Sequence, residues 1–285
     1  VMEHSYHGDT IGAMSVGARG VFNQPYAPLL FDVATVPFPA AGGEQATLDT
    51  LEAACRAKPA AFILEPLILG AGGMLIYSPE ILSEMRRICA LHGVLFIADE
   101  VMTGWGRTGT LFACDQTDVV PDIMCLSKGL TGGAIPLAVT LCTDAIFAAH
   151  WSTDRARMFY HSSSYTANPI ACAAANANLA IWRDEPVQAR IDALAHMQED
   201  ALTQIAGHSR ACNPRRIGTI TAFDIAVPDG GYLSALAPTL TAHFRDRGVL
   251  LRPLGNTIYV MPPYCIDADQ NAQIYGAIAE ALDIL

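Results

Sequence analysis

Two short apolar runs, each ending in charge, constrain this chain most. Leu95-Phe-Ile-Ala-Asp-Glu-Val-Met-Thr-Gly104 opens as a buried strand and stops abruptly at Asp99-Glu100. Carboxylates at the end of such a strand lie where open α/β sheets place their ligands. The second run, Ile123-Met-Cys-Leu126, delivers Lys128 into a glycine-rich turn, Lys128-Gly-Leu-Thr-Gly-Gly133. Upstream, Ala60-Ala-Phe-Ile-Leu-Glu65 reads as a third buried strand that also ends in a carboxylate. Between it and Leu95, Pro79 opens a helix with apolar positions at Ile81, Leu82, Met85, Ile88 and Leu91, and Gly93 stops it. Strand, helix, strand at this spacing is a βαβ unit, so the fold class is α/β, with a mainly parallel sheet covered on both faces.

The texture changes near Arg183 to Pro186. Beyond that point come a helix through about Ile205, the alternating stretch Ile217 to Ile225, a helix around Leu233 to Arg247, two short strands flanking Leu254-Gly-Asn256 and a last helix from Ala268 to Leu282. That pattern is an α+β layer. The chain is therefore read as a large three-layer domain over residues 1–183 and a smaller C-terminal α+β domain over 184–285. Val1-Met-Glu-His4 resembles the tail of a strand, so the chain is expected to begin inside its first domain.

A formal net charge of −11 leaves no basic stripe to neutralise phosphates, which argues against nucleic acid or an anionic membrane surface as partner. No uninterrupted apolar segment reaches the roughly 18 residues a bilayer span requires, and no signal peptide is recognisable. Eight cysteines without a C-x-x-C pair, mostly within apolar runs, point to reduced, buried thiols and a cytoplasmic protein without disulfides.

Several patterns compete for the chemistry. Gly104-Trp-Gly-Arg-Thr-Gly109 matches G-x-G-x-x-G, yet little helical periodicity follows it, and a dinucleotide loop needs a helix to open at the third glycine. His4-x-x-His7, flanked by Glu3 and Asp9, lacks a second ligand cluster for a metal, so hydrogen bonding of His7 within a pocket is the better reading. His161-Ser-Ser-Ser164 has no G-x-S-x-G elbow and suits an anion cradle rather than a nucleophile. A lysine after an apolar run usually snorkels to solvent, but the company of Lys128 is unusual. Small neighbours at Gly129, Gly132 and Gly133 leave room for a carbonyl to approach its amine. Asp99 is the kind of carboxylate that pairs with a protonated pyridine nitrogen, Tyr6 offers an aromatic face, and the hydroxyls of Ser162 to Ser164 offer phosphate donors. Together these are the requirements of pyridoxal 5'-phosphate (PLP).

At these residues the chain resembles the class III, PLP-dependent aminotransferases of fold type I. Lys128 lies 29 residues after Asp99, and Ala98-Asp-Glu-Val101, Gly104-Trp-Gly-Arg-Thr-Gly109 and Ser127-Lys-Gly129 match the family's signature. Three separated segments, Tyr6 to Val16, His161 to Ala173 and Arg252 to Tyr264, narrow the resemblance to members that serve biotin synthesis. The resemblance implies that Lys128 holds the cofactor covalently and shuttles protons, that Asp99 keeps the pyridine nitrogen protonated, and that Tyr6 and Val101 pack on opposite ring faces. It implies further that His7 and Ser163 line the cofactor site and that Ser164, standing where the family usually has threonine, meets the phosphate from the neighbouring subunit of a homodimer with shared active sites. Tyr6, Arg252 and Tyr259 fall on substrate-side positions, with Trp105 and Glu65 nearby. The implied activity is transfer of an amino group from S-adenosylmethionine to 8-amino-7-oxononanoate, giving 7,8-diaminononanoate. An ω-amino acid or diamine transaminase, or an inactive fragment of such an enzyme, is the alternative. The family pattern also carries an N-terminal portion before Tyr6, with a Gly-Ser loop for the phosphate.

Overall fold

Proline and glycine decide where the elements begin and end. The computed structural model describes residues 1–20, 22–228, 230–231 and 233–285. In chain order, α1 (Ile11–Ser15) and α2 (Glu44–Arg56) precede β1 (Ala61–Leu64), β2 (Ile68–Leu69) and β3 (Leu75–Ile76). Next come α3 (Pro79–His92), β4 (Leu95–Asp99), β5 (Ile123–Leu126), β6 (Val139–Cys142), α4 (Asp144–His150) and α5 (Pro169–Asp184). The remainder is α6 (Val187–Ala206), β7 (Ala211–Ile217), β8 (Ile220–Ile225), α7 (Leu236–Asp246), β9 (Thr257–Val260) and α8 (Ala268–Ile284). Pro79 opens α3 at the position where a missing N–H costs nothing, and Gly93 closes it in the left-handed conformation at φ +67°.

The chain divides into two compact units. The first comprises Val1–Leu67, Tyr77–Trp105 and Phe112–Glu185; the second comprises Ile68–Ile76, Gly106–Leu111 and Pro186–Leu285. In the first unit the sheet order is β1-β4-β5-β6. β1 and β4 run parallel, as do β4 and β5, while β6 is antiparallel to β5. The register sets Leu64 beside Ala98 and Asp99 beside Cys125, so the chain leaves β1, β4 and β5 at the same end of the sheet. α3 buries Leu82, Met85, Ile88 and Cys89, whereas Leu91 is 68% exposed: two residues before the cap, it turns away from the face expected for it. The expectation of a sheet covered on both faces fails at its edge, because all four residues of β6 are exposed within this chain.

In the second unit β7, β8 and β9 form an antiparallel sheet, and β2 pairs with β3. Phe223, Phe244, Ile258, Ile278 and Leu282 are among the side chains that fill its core. Only an isolated bridge, Leu254 to Thr257, precedes β9, so the first of the two strands expected around Leu254-Gly-Asn256 does not form. Gly218 makes the β7–β8 turn tight: at φ +49°, a Cβ there would stand 2.3 Å from the carbonyl carbon of Thr108. All eight cysteines are free; Cys55, Cys89 and Cys114 are buried, but Cys142 and Cys265 are exposed, contrary to the expectation for apolar runs. Among the described residues no helix is long and apolar enough to cross a membrane.

Candidate active site

Where β1 and β4 end, three carboxylates are buried together: Glu65, Asp99 and Glu100. Buried charge is costly unless it is answered by donors, and each of these acids is answered differently. Asp99 Oδ2 lies 2.7 Å from His7 Nδ1, with both side chains nearly sealed from solvent. Its other oxygen accepts the backbone N–H of Val101 at 3.1 Å. An ionised carboxylate can only accept, so His7 carries its proton on Nδ1. His7 Nε2 is also buried, and no hydrogen-bond partner meets it among the described residues. Glu65 Oε1 accepts the backbone N–H of Tyr6 at 3.0 Å, which fixes the residue that precedes His7.

Glu100 does something else. Its carboxylate accepts from the hydroxyl of Thr103 and from the backbone N–H groups of Ala113 and Cys114, pinning both flanks of the loop that carries Trp105. Burial pushes the pKa of the Glu100 carboxyl up from its ordinary value, making it a weaker acid, and these donors only partly offset that. Cys125, abreast of Asp99, has its thiol pushed up as well, first by burial and then by the Asp99 charge.

Lys128 follows Ser127 two residues past the end of β5 and begins a short 3-10 helix, Lys128–Thr131. Its side chain is exposed within this chain, and its backbone sits at φ +40°. A non-glycine residue held there needs support from its surroundings. Gly129 explains part of that support: a Cβ would lie 2.5 Å from Trp105 Cβ, so the indole lies directly against the turn. The glycine there serves the packing of Trp105, a role beyond the carbonyl access expected of it.

Tyr6 donates its hydroxyl to Asp9 Oδ1 at 2.8 Å, and its ring lies 6.2 Å from that of Phe22. Burial, then the Asp9 contact, pushes its phenol up. The structure thus joins Tyr6, His7, Asp99 and Val101 through hydrogen bonds and adjacency, with Lys128 three residues beyond the partner of Asp99. Ser163 and Ser164 are exposed and are not joined to them. Ser163 spends its hydroxyl on the N–H of Tyr165, and no hydrogen bond links either serine to Tyr6, His7, Asp99 or Lys128 among the described residues. Arg252 and Tyr259 belong to the second unit. Arg252 is exposed, with no hydrogen bond or ion pair among the described residues, and Tyr259 is half-buried on β9 opposite Ala222. Among the described residues no group of three or more His, Cys, Asp and Glu side chains is placed to hold a metal ion.

Sequence reasoning missed the role of Glu100. The signal for it was present: two consecutive carboxylates at a strand end point to opposite sides, so only one can face a ligand. The G-x-G-x-x-G stretch is a turn, and the next regular element is the short 3-10 helix Ala113–Gln116, which presents no dinucleotide-type helix start.

A buried carboxylate at a sheet end, an imidazole hydrogen-bonded to it and a lysine that follows the next strand thus lie at one end of the first unit's sheet. The chain belongs to the class-III aminotransferases, whose family model matches residues 1–282. It is 43% identical to the adenosylmethionine-8-amino-7-oxononanoate aminotransferase of Synechococcus elongatus over 98% of this chain and 68% of that protein. The crystal structure of the adenosylmethionine-8-amino-7-oxononanoate aminotransferase from Methanocaldococcus jannaschii superposes with a TM-score of 0.91 at 31% identity, covering 99% of this chain and 67% of that one. An amine transaminase from an uncultivated Pseudomonas species, in a PLP-bound form, gives a TM-score of 0.89 at 29% identity over 99% of this chain and 68% of that one. The chain spans about two thirds of the length of these relatives.

Proposed function

We propose that the protein is a PLP-dependent transaminase that moves an amino group from S-adenosylmethionine to 8-amino-7-oxononanoate, yielding 7,8-diaminononanoate for biotin synthesis. The observation that carries the reading is the sealed Asp99–His7 pair at the end of β4, set beside the strand that delivers Lys128. The residues present fit the cofactor: a buried anion for a protonated ring nitrogen, an imidazole whose second nitrogen is unpaired, an aromatic residue, and an amine. PLP, when bound, supplies the electron sink that makes a substrate C–H bond acidic.

The protein's own groups do the rest. Asp99 keeps a proton on the ring nitrogen, and His7 holds the Asp99 carboxylate in one orientation. Glu65 fixes the backbone of Tyr6, and Tyr6 and Val101 would be the residues that pack against the cofactor ring. Lys128 would hold the cofactor through Nζ, and when free the same Nζ would carry a proton between two carbons of the substrate. Both substrates carry a carboxylate, which the unpaired guanidinium of Arg252 is suited to bind, with Tyr259 beside the substrate. We read residues 1–183 as the cofactor-binding domain and 184–285 as the small domain. Ser163 and Ser164, which make no hydrogen bond to Tyr6, His7, Asp99 or Lys128 among the described residues, would serve the phosphate across a homodimer whose sites are shared. Free thiols and the biosynthetic role support a cytoplasmic location.

The test is amination of 8-amino-7-oxononanoate with S-adenosylmethionine as donor, read as 7,8-diaminononanoate. Product formation that disappears in Lys128→Ala and Asp99→Asn supports the assignment. Turnover of ornithine or 4-aminobutyrate with none of the biotin precursor overturns it in favour of an ω-amino acid or diamine transaminase.

A further inference from the structure

We propose that Asn178, on α5, is a positioning residue for Lys128. The inference rests on Lys128 being the cofactor-anchoring lysine proposed above. Asn178 Nδ2 donates to the backbone oxygens of Gly129 and Leu130, at 2.9 and 3.2 Å. Its own Oδ1 lies 3.3 Å from where a Cβ on Gly132 would stand, so the carboxamide caps the turn closely from one side. On the other side Trp105 lies against Gly129. Ser127 ties the start of the turn to the Leu137 carbonyl at 2.7 Å, and Gly133 N–H closes back on the Lys128 carbonyl at 3.2 Å.

Lys128 needs this clamp because φ +40° is a conformation an L-residue adopts only when its surroundings impose it. The turn is a single 3-10 turn, too short to hold itself. Asn178 is the one side chain that grips two of its carbonyls by hydrogen bonds among the described residues. Released from Asn178, the peptide units after Lys128 are free to rotate, and the lysine relaxes toward negative φ. Such a rotation redirects its Cα–Cβ bond and swings the amine away from the position set by the end of β5. Asn178 touches neither the amine nor the cofactor, so its contribution is to the direction of approach.

The chain has two lysines, Lys58 and Lys128, which provides an internal reference. Lys58 is exposed just past α2. Full-length protein is mixed with PLP, quenched with borohydride at intervals, digested, and the label at each lysine quantified by mass. In the unsubstituted protein Lys128 labels faster than Lys58. Asn178→Ala, and the isosteric Asn178→Asp, which turns acceptor oxygens toward the two carbonyls, are expected to lower the Lys128:Lys58 rate ratio at least tenfold. Asn176→Ala, an exposed change on the same helix, is expected to leave the ratio unchanged. A fall of less than tenfold in Asn178→Asp, or an equal fall in Asn176→Ala, overturns the clamp. If neither Asn178 variant folds, the carboxamide is a structural requirement and the proposal falls. If unsubstituted protein labels Lys128 no faster than Lys58, the assignment of Lys128 itself fails, an outcome distinct from loss of the clamp.

Discussion

Gly129→Ala tests whether the lysine turn is built around Trp105. The new Cβ would meet Trp105 Cβ, Cγ and Cδ1 at 2.5, 2.6 and 2.7 Å, where ordinary contact begins at 3.4 Å. The indole would have to retreat by most of an ångström, and it has nowhere to go. Phe112 and Trp182 stand at ring distances of 5.9 and 6.1 Å, and Leu130 and Ala175 are buried in the same cluster. Overpacking of this kind costs about 1–3 kcal/mol. Gly129 has no positive φ, so alanine also stiffens the unfolded chain and returns roughly 0.4–1 kcal/mol. The net expectation is a loss of about 1 kcal/mol, or roughly 2–4 °C in Tm for a unit of this size. The decisive measurement is a double-mutant cycle with Trp105→Gly, read by thermal or urea denaturation. Glycine removes all three clashing atoms and suits the φ +59° of position 105. In that background Gly129→Ala should be neutral or slightly stabilising. Equal costs in the two backgrounds would refute the packing argument, because contacting residues must couple.

Glu100 makes a pH prediction. Its folded-state pKa is raised by burial, so its contribution to stability is fully present below the ordinary carboxylate range and is lost as pH rises through the raised value. Glu100→Gln sets an amide donor against the N–H groups of Ala113 and Cys114 and should cost about 1–3 kcal/mol at low pH. That gap should narrow as pH rises, and a pH-independent gap in urea titrations would count against the assignment. Arg252→Ala should raise KM for carboxylate-bearing substrates about tenfold with little change in kcat, since a charge-assisted hydrogen bond is worth roughly 1.5 kcal/mol. Arg252→Lys should recover part of the loss, and unaltered steady-state kinetics in Arg252→Ala would remove this residue from the substrate site.

Much of the frame was legible because burial and periodicity act locally. The helix from Pro79 to its Gly93 stop, and the strands that lead to Glu65, Asp99 and Lys128, follow from apolar spacing and from where proline and glycine fall. The edge strand was harder. Leu137 to Cys142 is apolar enough to suggest a covered strand, yet its exposure depends on what lies beside it, and sequence pattern does not encode neighbours. The turn after Lys128 illustrates the same limit more sharply. Glycines at 129, 132 and 133 look alike in sequence, but Gly129 faces an indole, Gly132 faces the Asn178 carboxamide and Gly133 faces open space. Asn178 lies 50 residues downstream of Lys128 in an alanine-rich helix, where an asparagine attracts no notice until the fold brings it against the turn.

The three buried carboxylates show how one sheet end can bear so much like charge and still offer only one acid to a ligand. Glu65 and Asp99 follow the paired Leu64 and Ala98 on adjacent parallel strands, and Glu100 is the next residue along. Each unanswered charge would destabilise the others. Glu65 takes a backbone N–H of Tyr6, and Glu100 takes three donors from its own loop. Asp99 has a single backbone N–H and a histidine, and the histidine is the partner that can itself move or share a proton. A cation placed beside Asp99 therefore gains from all three charges while being hydrogen-bonded by one. The Cys125 thiol registers that charge: burial pushes it up first and the Asp99 carboxylate adds to the shift, the same sign of effect that would hold a proton on a basic group placed beside Asp99.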